Sequence, residues 1–308
     1  MNPEKAEGFH TAFRVTGQGP RKVLLLHALT GGPDAADRPG VQGWWAPVFS
    51  AGAPLAAEKA TVWTPNLLGS CYGSQGPTGP DLSTRRQAEI LAEWIRTQGL
   101  SFDALLGGSL GGMVALELAL LLPEAFGVVG VIGCGARADA WLWGTNEVQR
   151  AILRSPHLPD GEAIALARRA AMLSFRSPQS LDQRFQEASE IRGWLAHHGD
   201  ALAARFTRES YLALLDAMDN HDLGRDRGGL VEALKGLRSP LFVLGMDPDL
   251  LFPRPVLEEL AEAARAAGVR CRLDWLDSPH GHDAFLIEWG QIRDWLGQVF
   301  REVVPCAC

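Results

Sequence analysis

The sequence predicts an α/β fold in which a mostly parallel β-sheet forms the core and a helical lid is inserted between two of its strands. Short apolar runs alternate with helical patterns up to about residue 135, as a parallel sheet with helical crossovers requires. The pattern is then almost wholly helical to about residue 237, where apolar runs return. We therefore assign residues 1–136 and 237–308 to the core domain and residues 137–236 to the lid.

The elements before the lid follow a strand–helix alternation. Apolar runs of strand length are joined by stretches of helical period, so that successive strands are linked by crossovers. Strands are predicted at 23–27, 61–65, 104–107 and 128–133, and helices at 84–97 and 113–122.

The lid and the second part of the core are predicted from the same periodicities. Four stretches of helical period fall within the lid, and two more apolar runs complete the sheet before a final helix. The lid helices are predicted at 147–153, 162–173, 180–188 and 208–218, the last strands at 240–246 and 269–276, and the last helix at 285–299.

A glycine-rich turn between the strand at 104–107 and the helix at 113–122 carries the pattern Gly107-x-Ser109-x-Gly111. A serine at the apex of such a strand–turn–helix sits in strained backbone that tolerates only very small neighbours. Ser109 is therefore the candidate nucleophile. Because many serines in glycine-rich turns only cap helices, the assignment depends on finding its partners.

Partner residues follow two later strands. Asp247 and Asp249 come directly after the run at 240–246, and His280 and His282 follow the run at 269–276. A serine hydroxyl becomes nucleophilic when an imidazole takes its proton, and a carboxylate orients that imidazole. Either aspartate and either histidine suits these roles at this point, whereas we interpret Asp277 as a strand-end cap.

An acyl intermediate on Ser109 also needs two backbone amides that donate to its oxyanion. One is expected from Leu110, directly after the nucleophile. The other is expected from the loop that follows the strand at 23–27, where Leu29 is our choice.

The remaining histidines receive structural interpretations. His197 and His198 lie in a polar helical stretch and are interpreted as solvated, and His27 is expected to hold its own turn. His157 and His221 have no catalytic arrangement of carboxylate and serine nearby in the sequence.

Composition excludes several other classes of protein. The 308 residues, 46% of them hydrophobic, can bury the core of one such domain. A net charge of -7 argues against a general surface for nucleic acid or anionic membrane. Five cysteines without paired spacing suit a reducing cytoplasm, the pair Cys306 and Cys308 is interpreted as a frayed tail, and no metal site is expected. We also expect no secretory signal and no membrane span.

Seven segments together form a pattern far more specific than the serine motif alone. They are 27–31, 66–77, 107–113, 146–150, 210–212 with 217–219, 249–253 and 281–286. This combination resembles the homoserine O-acetyltransferase family of acyltransferases, which have the α/β-hydrolase fold, and it extends from about residue 23 to the helix after His282.

The resemblance implies a set of roles for individual residues. Ser109 is the nucleophile, Asp249 the orienting acid and His282 the general base, which settles the two choices left open above. Arg168 and Asp283 fall where the family holds its amino-acid acceptor. A guanidinium suits the α-carboxylate of an amino acid and a carboxylate suits its α-ammonium.

The resemblance also implies an activity. An acetyl group passes from acetyl-CoA, a co-substrate rather than a resident cofactor, to the hydroxyl of L-homoserine in methionine biosynthesis, by a two-step mechanism. A cytoplasmic homodimer formed through the lid helices is expected.

Two departures from the family pattern keep alternatives open. Phe175 stands where the family has a tyrosine, seven positions after Arg168, and Thr78-Gly79 replaces a usual pair of serines. L-serine as acceptor, a succinyl donor and a plain esterase are therefore the alternatives, because pocket contacts decide specificity.

Overall fold

The computed structural model describes residues 10–76, 78–79 and 82–303. In this part of the chain, seven strands form one sheet in the order β1-β3-β2-β4-β5-β6-β7. Neighbouring strands are parallel, except that β1 is antiparallel to β3. The strands are β1 (Phe13–Thr16), β2 (Arg21–Leu26), β3 (Ala60–Pro65), β4 (Ala104–Gly108), β5 (Val129–Ile132), β6 (Leu241–Met246) and β7 (Cys271–Leu276).

Helices connect these strands, and six of them lie between β5 and β6. The helices outside that insertion are α1 (Thr84–Gln98), α2 (Leu110–Leu121), α9 (Arg254–Ala266) and α10 (Trp289–Arg301). Those between β5 and β6 are α3 (Ala140–Leu153), α4 (Asp160–Phe175), α5 (Pro178–Arg184), α6 (Ala188–Ala203), α7 (Arg208–Asp219) and α8 (Leu230–Leu234). Short 3-10 helices span Ala46–Phe49 and Gly281–Leu286.

The sheet is covered on both faces. For this reason, the sequences of its central strands are continuous apolar runs. Every residue of β4, β5 and β6 is buried. Along β2, Leu24 and Leu26 pack into one apolar cluster while Val23 and Leu25 pack into the other, as the alternation of side chains in a strand requires.

The lid helices share one of these clusters with the sheet. Buried residues of α4 and α7, such as Met172 and Leu214, belong to the same apolar cluster as Leu24. Within the lid, Arg150 of α3 forms an ion pair with Asp216 of α7 at 3.1 Å, so the two helices are joined by charge as well as by apolar contact.

Several element predictions were incomplete or wrong. The helix predicted at 180–188 is wrong, because α5 ends at Arg184 and a capping box between Glu187 and Glu190 starts α6. The final helix begins at Trp289, after a 3-10 turn, rather than at 285. Neither β1 nor α9 was predicted, and the four-residue edge strand β1 has a half-exposed pattern that gives little apolar signal.

Some expectations fall on residues outside the described ranges and stay predictions. These residues are the first nine of the chain, Pro77, and the tail with Cys306 and Cys308. Within the described ranges, none of the helices combines the length and the apolar character that crossing a bilayer requires.

Candidate active site

Ser109 lies at the turn between β4 and α2, with φ 54° and ψ -124°. This left-handed conformation is uncommon for a residue with a side chain. A Cβ atom on Gly107 would lie 2.3 Å from the carbonyl oxygen of Gly111, and one on Gly111 would lie 2.3 Å from that of Leu26. The two glycines of the motif are therefore required by the close approach of backbone, which holds the serine side chain at the carboxyl end of β4.

Three side chains form a hydrogen-bonded chain at this edge of the sheet. His282 Nε2 lies 3.0 Å from Ser109 Oγ, and His282 Nδ1 lies 2.8 Å from Asp249 Oδ2. The other carboxylate oxygen of Asp249 accepts the backbone N–H groups of Leu251 at 2.8 Å and Phe252 at 3.0 Å. The three residues follow β4, β6 and β7, whose carboxyl ends meet at one edge because these strands are parallel.

The electrostatics of His282 suit a base. Burial works to lower the pKa of this imidazole, but the charge of Asp249 and the hydrogen bond to it outweigh burial and raise the pKa above its ordinary value. With its proton on Nδ1, the ring donates to Asp249 and its Nε2 accepts from the Ser109 hydroxyl. Such a chain can remove the proton of the serine as the serine attacks a carbonyl carbon.

The alternative members of each pair lie elsewhere. Asp247 forms an ion pair with Arg254 at 2.7 Å, and His280 Nδ1 lies 2.8 Å from the hydroxyl of Ser180. The structure thus brings Asp249 and His282 to Ser109, and it does not bring Asp247 and His280 there.

The predicted oxyanion donors have free amides in the described part of the chain. The N–H groups of Leu29 and Leu110 make no hydrogen bond with any described residue. His27 holds the loop of Leu29, because its Nε2 accepts the N–H of Leu67 at 3.0 Å while Nδ1 bonds the carbonyl of Ala28 at 2.8 Å. Burial lowers the pKa of His27 to about 4, so this ring is neutral at neutral pH and can accept that bond.

The lid brings Arg168 towards the same place. Its half-buried guanidinium lies 5.0 Å from the ring centroid of Phe175, and that ring lies 5.8 Å from the ring of His282. Arg168 makes no hydrogen bond or ion pair with the residues that the structure describes. An arginine that stands unpaired next to an active-site histidine is suited to bind an anionic group of a ligand.

Asp283 has a partner that the sequence did not reveal. Its Oδ2 forms an ion pair at 3.0 Å with Nε of Arg176, the residue that ends α4, and both side chains are largely buried. Arg168 is close enough to Asp283 for their charges to interact, but Arg176 makes the direct contact. The surroundings of Asp283 therefore contain two arginines rather than the one that the resemblance implies.

His198 also lies in this region, and its ring is only partly exposed, so the interpretation as a solvated residue was incomplete. Its half-buried ring packs edge-on against Trp194 at 4.5 Å. Burial first, and then the charge of Arg168, lower its pKa to about 4, while the charge of Asp283 acts in the opposite direction. The four-residue spacing from Trp194 puts both rings on one face of α6. That spacing was the feature of the sequence that could have indicated their contact.

A cleft of about 300 Å³ opens beside the loop that carries Leu29. Arg205 of the lid crosses to this loop, where it donates to the carbonyl of Thr30 at 2.8 Å and to the hydroxyl of Tyr72. The lining residues are Thr30, Gly31, Gly32, Pro33, Asp34, Val41, Gln42, Trp44, Tyr72 and Arg205. The lid and two core loops thus meet at the edge of the site.

The sheet and the serine elbow define a protein of the α/β-hydrolase class, and residues 22–288 match the family model described as the alpha/beta hydrolase fold. A homoserine O-acetyltransferase from Thermus thermophilus is 39% identical over an alignment of 327 positions, gaps included, that spans 95% of this chain and 85% of the relative. One from Nostoc punctiforme is 35% identical and covers 94% of this chain and 90% of its own length. The chain belongs to the homoserine O-acetyltransferase family.

Solved structures agree with this placement. The crystal structure of homoserine O-acetyltransferase from Staphylococcus aureus matches with a TM-score of 0.80 and 26% identity, over 95% of this chain and 88% of that chain. Thus the resemblance first seen in short motifs extends through the fold as a whole.

Proposed function

We propose that this protein transfers the acetyl group of acetyl-CoA to the γ-hydroxyl of L-homoserine and so makes O-acetyl-L-homoserine, a methionine precursor. The observation that carries the proposal is the hydrogen-bonded chain of Ser109, His282 and Asp249 beside an unpaired lid guanidinium, in a member of this family. The triad supplies acyl transfer, and Arg168 supplies a site for the α-carboxylate of the acceptor.

In the first half-reaction, Ser109 Oγ attacks the thioester carbon while His282 Nε2 takes the hydroxyl proton. The carbonyl oxygen becomes an oxyanion that accepts hydrogen bonds from the amides of Leu29 and Leu110. Collapse of this intermediate breaks the carbon–sulfur bond, and His282 returns its proton to the leaving thiolate. Acetyl-Ser109 and free CoA result.

In the second half-reaction, the hydroxyl of the acceptor gives its proton to His282 as its oxygen attacks the acetyl carbon. The same two amides bind the second oxyanion. When the bond to Ser109 Oγ breaks, the proton on His282 returns to that oxygen, so the enzyme is regenerated. Asp249 stabilises the charged imidazole in both steps.

The acceptor is held, in this proposal, by the charges beside the triad. Arg168 binds the α-carboxylate, and Asp283 binds the α-ammonium through the oxygen that does not contact Arg176. Phe175, Phe252 and Phe285 surround the ring of His282 at centroid distances of 5.4 to 5.8 Å. These apolar rings limit the access of water, which would otherwise hydrolyse acetyl-Ser109.

We also infer a homodimer formed through the lid and a cytoplasmic location. Trp141, Trp143 and Val148 on α3 are each about half exposed, and exposed apolar groups of this size favour an interface. Among the described residues, Cys71, Cys134 and Cys271 are free thiols, as a reducing compartment favours. Sedimentation of the purified protein tests the dimer, which Val148→Glu should weaken.

The proposal is tested by following thiol release from acetyl-CoA with L-homoserine, with L-serine and without an acceptor. Sustained release that depends on homoserine supports it. A preference for serine would move the assignment to serine acetylation, and sustained release without an acceptor would make the protein a hydrolase with the same triad. Replacing acetyl-CoA by succinyl-CoA tests the donor in the same assay.

A further inference from the structure

His198 is brought next to Arg168 by the packing of two lid helices. Helix α6 packs against α4, and the contact is so close at Gly199 that a Cβ atom there would lie 2.6 Å from the carbonyl oxygen of Ala165. The residue before this contact is His198, whose ring is held edge-on against Trp194. Backbone packing and ring packing together hold the imidazole close enough to Arg168 for the charge of the guanidinium to act on it.

The groups around His198 are charged, yet its imidazole has no hydrogen-bonding partner in the described ranges. Arg168 and Arg176 of α4, Asp283 of the 3-10 turn and the neighbouring His197 all act on it electrostatically. Neither ring nitrogen makes a hydrogen bond with any residue in the described ranges. Neither His198 nor Arg168 has a buried polar atom without a partner, so a ligand that enters this region can replace water on the imidazole and the guanidinium.

We propose that His198 is a specificity-determining residue that recognises the α-amino-acid end of the acceptor, by donating one ring N–H to the α-carboxylate that Arg168 binds. This inference rests on the function proposed above and deepens it. Asp283 remains the partner of the α-ammonium, as in the function proposed above.

The protonation state of His198 agrees with this role. A pKa of about 4 leaves the ring neutral at neutral pH, so it offers one donor and one acceptor. A charged imidazolium would have two donors and would repel the ammonium group. Phe175 has no polar atom on its ring, so it cannot make this contact in place of His198.

The test compares three variants in the two half-reactions. His198→Phe keeps a ring for packing against Trp194 but removes both nitrogens, and His198→Gln keeps a donor and an acceptor. His197→Ala is the matched control, because His197 is the exposed neighbour on the same helix. The readouts are KM for the amino-acid acceptor and the initial burst of thiol release from acetyl-CoA, which needs no acceptor.

His198→Phe should raise KM for the acceptor about tenfold, which corresponds to about 1.4 kcal/mol, with little change in kcat or in the burst. His198→Gln should recover most of this loss, and His197→Ala should behave as the wild type. With the amino alcohol that lacks the carboxylate of homoserine, His198→Phe should lose little, because the group that it recognises is absent.

An unchanged KM in His198→Phe would overturn the inference. Equal losses in the burst and in acceptor use, without recovery in His198→Gln, would also overturn it, because a merely structural role has that signature. Failure of the proposed function is seen separately, in the wild type. The variants are therefore assayed with whichever amino acid the wild type acetylates, and a wild type that acetylates none would overturn both proposals.

Discussion

The carboxyl edge of the sheet and the part of the lid near it differ in whether their polar side chains are hydrogen-bonded to other residues. At the sheet edge, Ser109, His282 and Asp249 bond one another, and the amides next to Asp249 complete its contacts. On the lid, Arg168 and His198 have no hydrogen-bonding partner within the described ranges. The three side chains of the core are thus bonded to one another, whereas Arg168 and His198 are available to bind a ligand.

The difference follows from how each region is built. Loops after adjacent parallel strands converge on one edge, so the core can bring three residues from distant parts of the chain to hydrogen-bonding distance. The lid packs helix on helix, and polar side chains inside those contacts, such as Arg150, are paired, whereas Arg168 and His198 are only partly buried. In the function proposed above, acyl chemistry belongs to the core, and acceptor binding uses Arg168 of the lid together with Asp283 of the core. A substitution of Arg168 should therefore leave the acyl chemistry largely intact.

The largest effect is expected for Ser109→Ala, which removes the nucleophile. We expect both the burst of thiol release and the transfer to an acceptor to fall by about 10⁴-fold or more. Steady-state assays measure the loss, and a thermal unfolding midpoint close to that of the wild type shows that the fold survives. Full transferase activity in this variant would contradict the triad assignment.

Arg168→Ala tests the separation between core and lid, because it should affect only the second half-reaction. Loss of the guanidinium should lower kcat/KM for the acceptor about 100-fold, with the burst from acetyl-CoA nearly unchanged. Arg169→Ala is the matched control, since the adjacent arginine pairs with Asp200 at 3.4 Å. Equal losses in both half-reactions would show that Arg168 does not serve the acceptor.

The pH dependence of kcat/KM for the donor should be set by His282 of the core. A protonated His282 cannot take the serine proton, and its pKa is raised above 6.5. Therefore kcat/KM for the donor should fall about tenfold per pH unit below an apparent pKa higher than 6.5. Asp249→Asn removes the charge that raises this pKa, so its acid limb should move to lower pH. A flat profile down to about pH 5 would argue against His282 as the base.

The smallest effect is expected where the two regions touch. Arg205→Ala breaks the bond from the lid to Thr30, in the loop of Leu29, and should slow the first half-reaction by between about twofold and tenfold. Arg192→Ala, at an exposed position on α6, is the control and should change nothing. If Arg205→Ala leaves the burst rate unchanged, the lid does not support the oxyanion loop.

The core could be predicted from the sequence much further than the lid. Strands such as β4 and β6 are buried on both faces, so their apolar runs are distinct, whereas the edge strand β1 carries no such run. Ser109 was found because its turn needs glycines at fixed positions. The choice between Asp247 and Asp249 could not come from spacing alone, because it depends on which side chain turns inward after β6.

The lid residues could not be placed from local pattern. A charged or polar residue on a helix has the same appearance whether it faces solvent or a cleft, so His198 was interpreted as solvated and Arg176 was overlooked. Their positions depend on the approach of α6 to α4 and on the ion pair of Arg176 with Asp283. Arg168 was found through the family resemblance, which carries information about packing that periodicity does not contain.

The most direct test of this division is the mass of the intact chain after mixing with acetyl-CoA, followed by addition of L-homoserine. We expect that the wild type and Arg168→Ala both gain one acetyl group, that Ser109→Ala gains none, and that homoserine removes the acetyl group rapidly only from the wild type. An Arg168→Ala variant that fails to acquire the acetyl group, or that loses it to homoserine as fast as the wild type, would contradict the account.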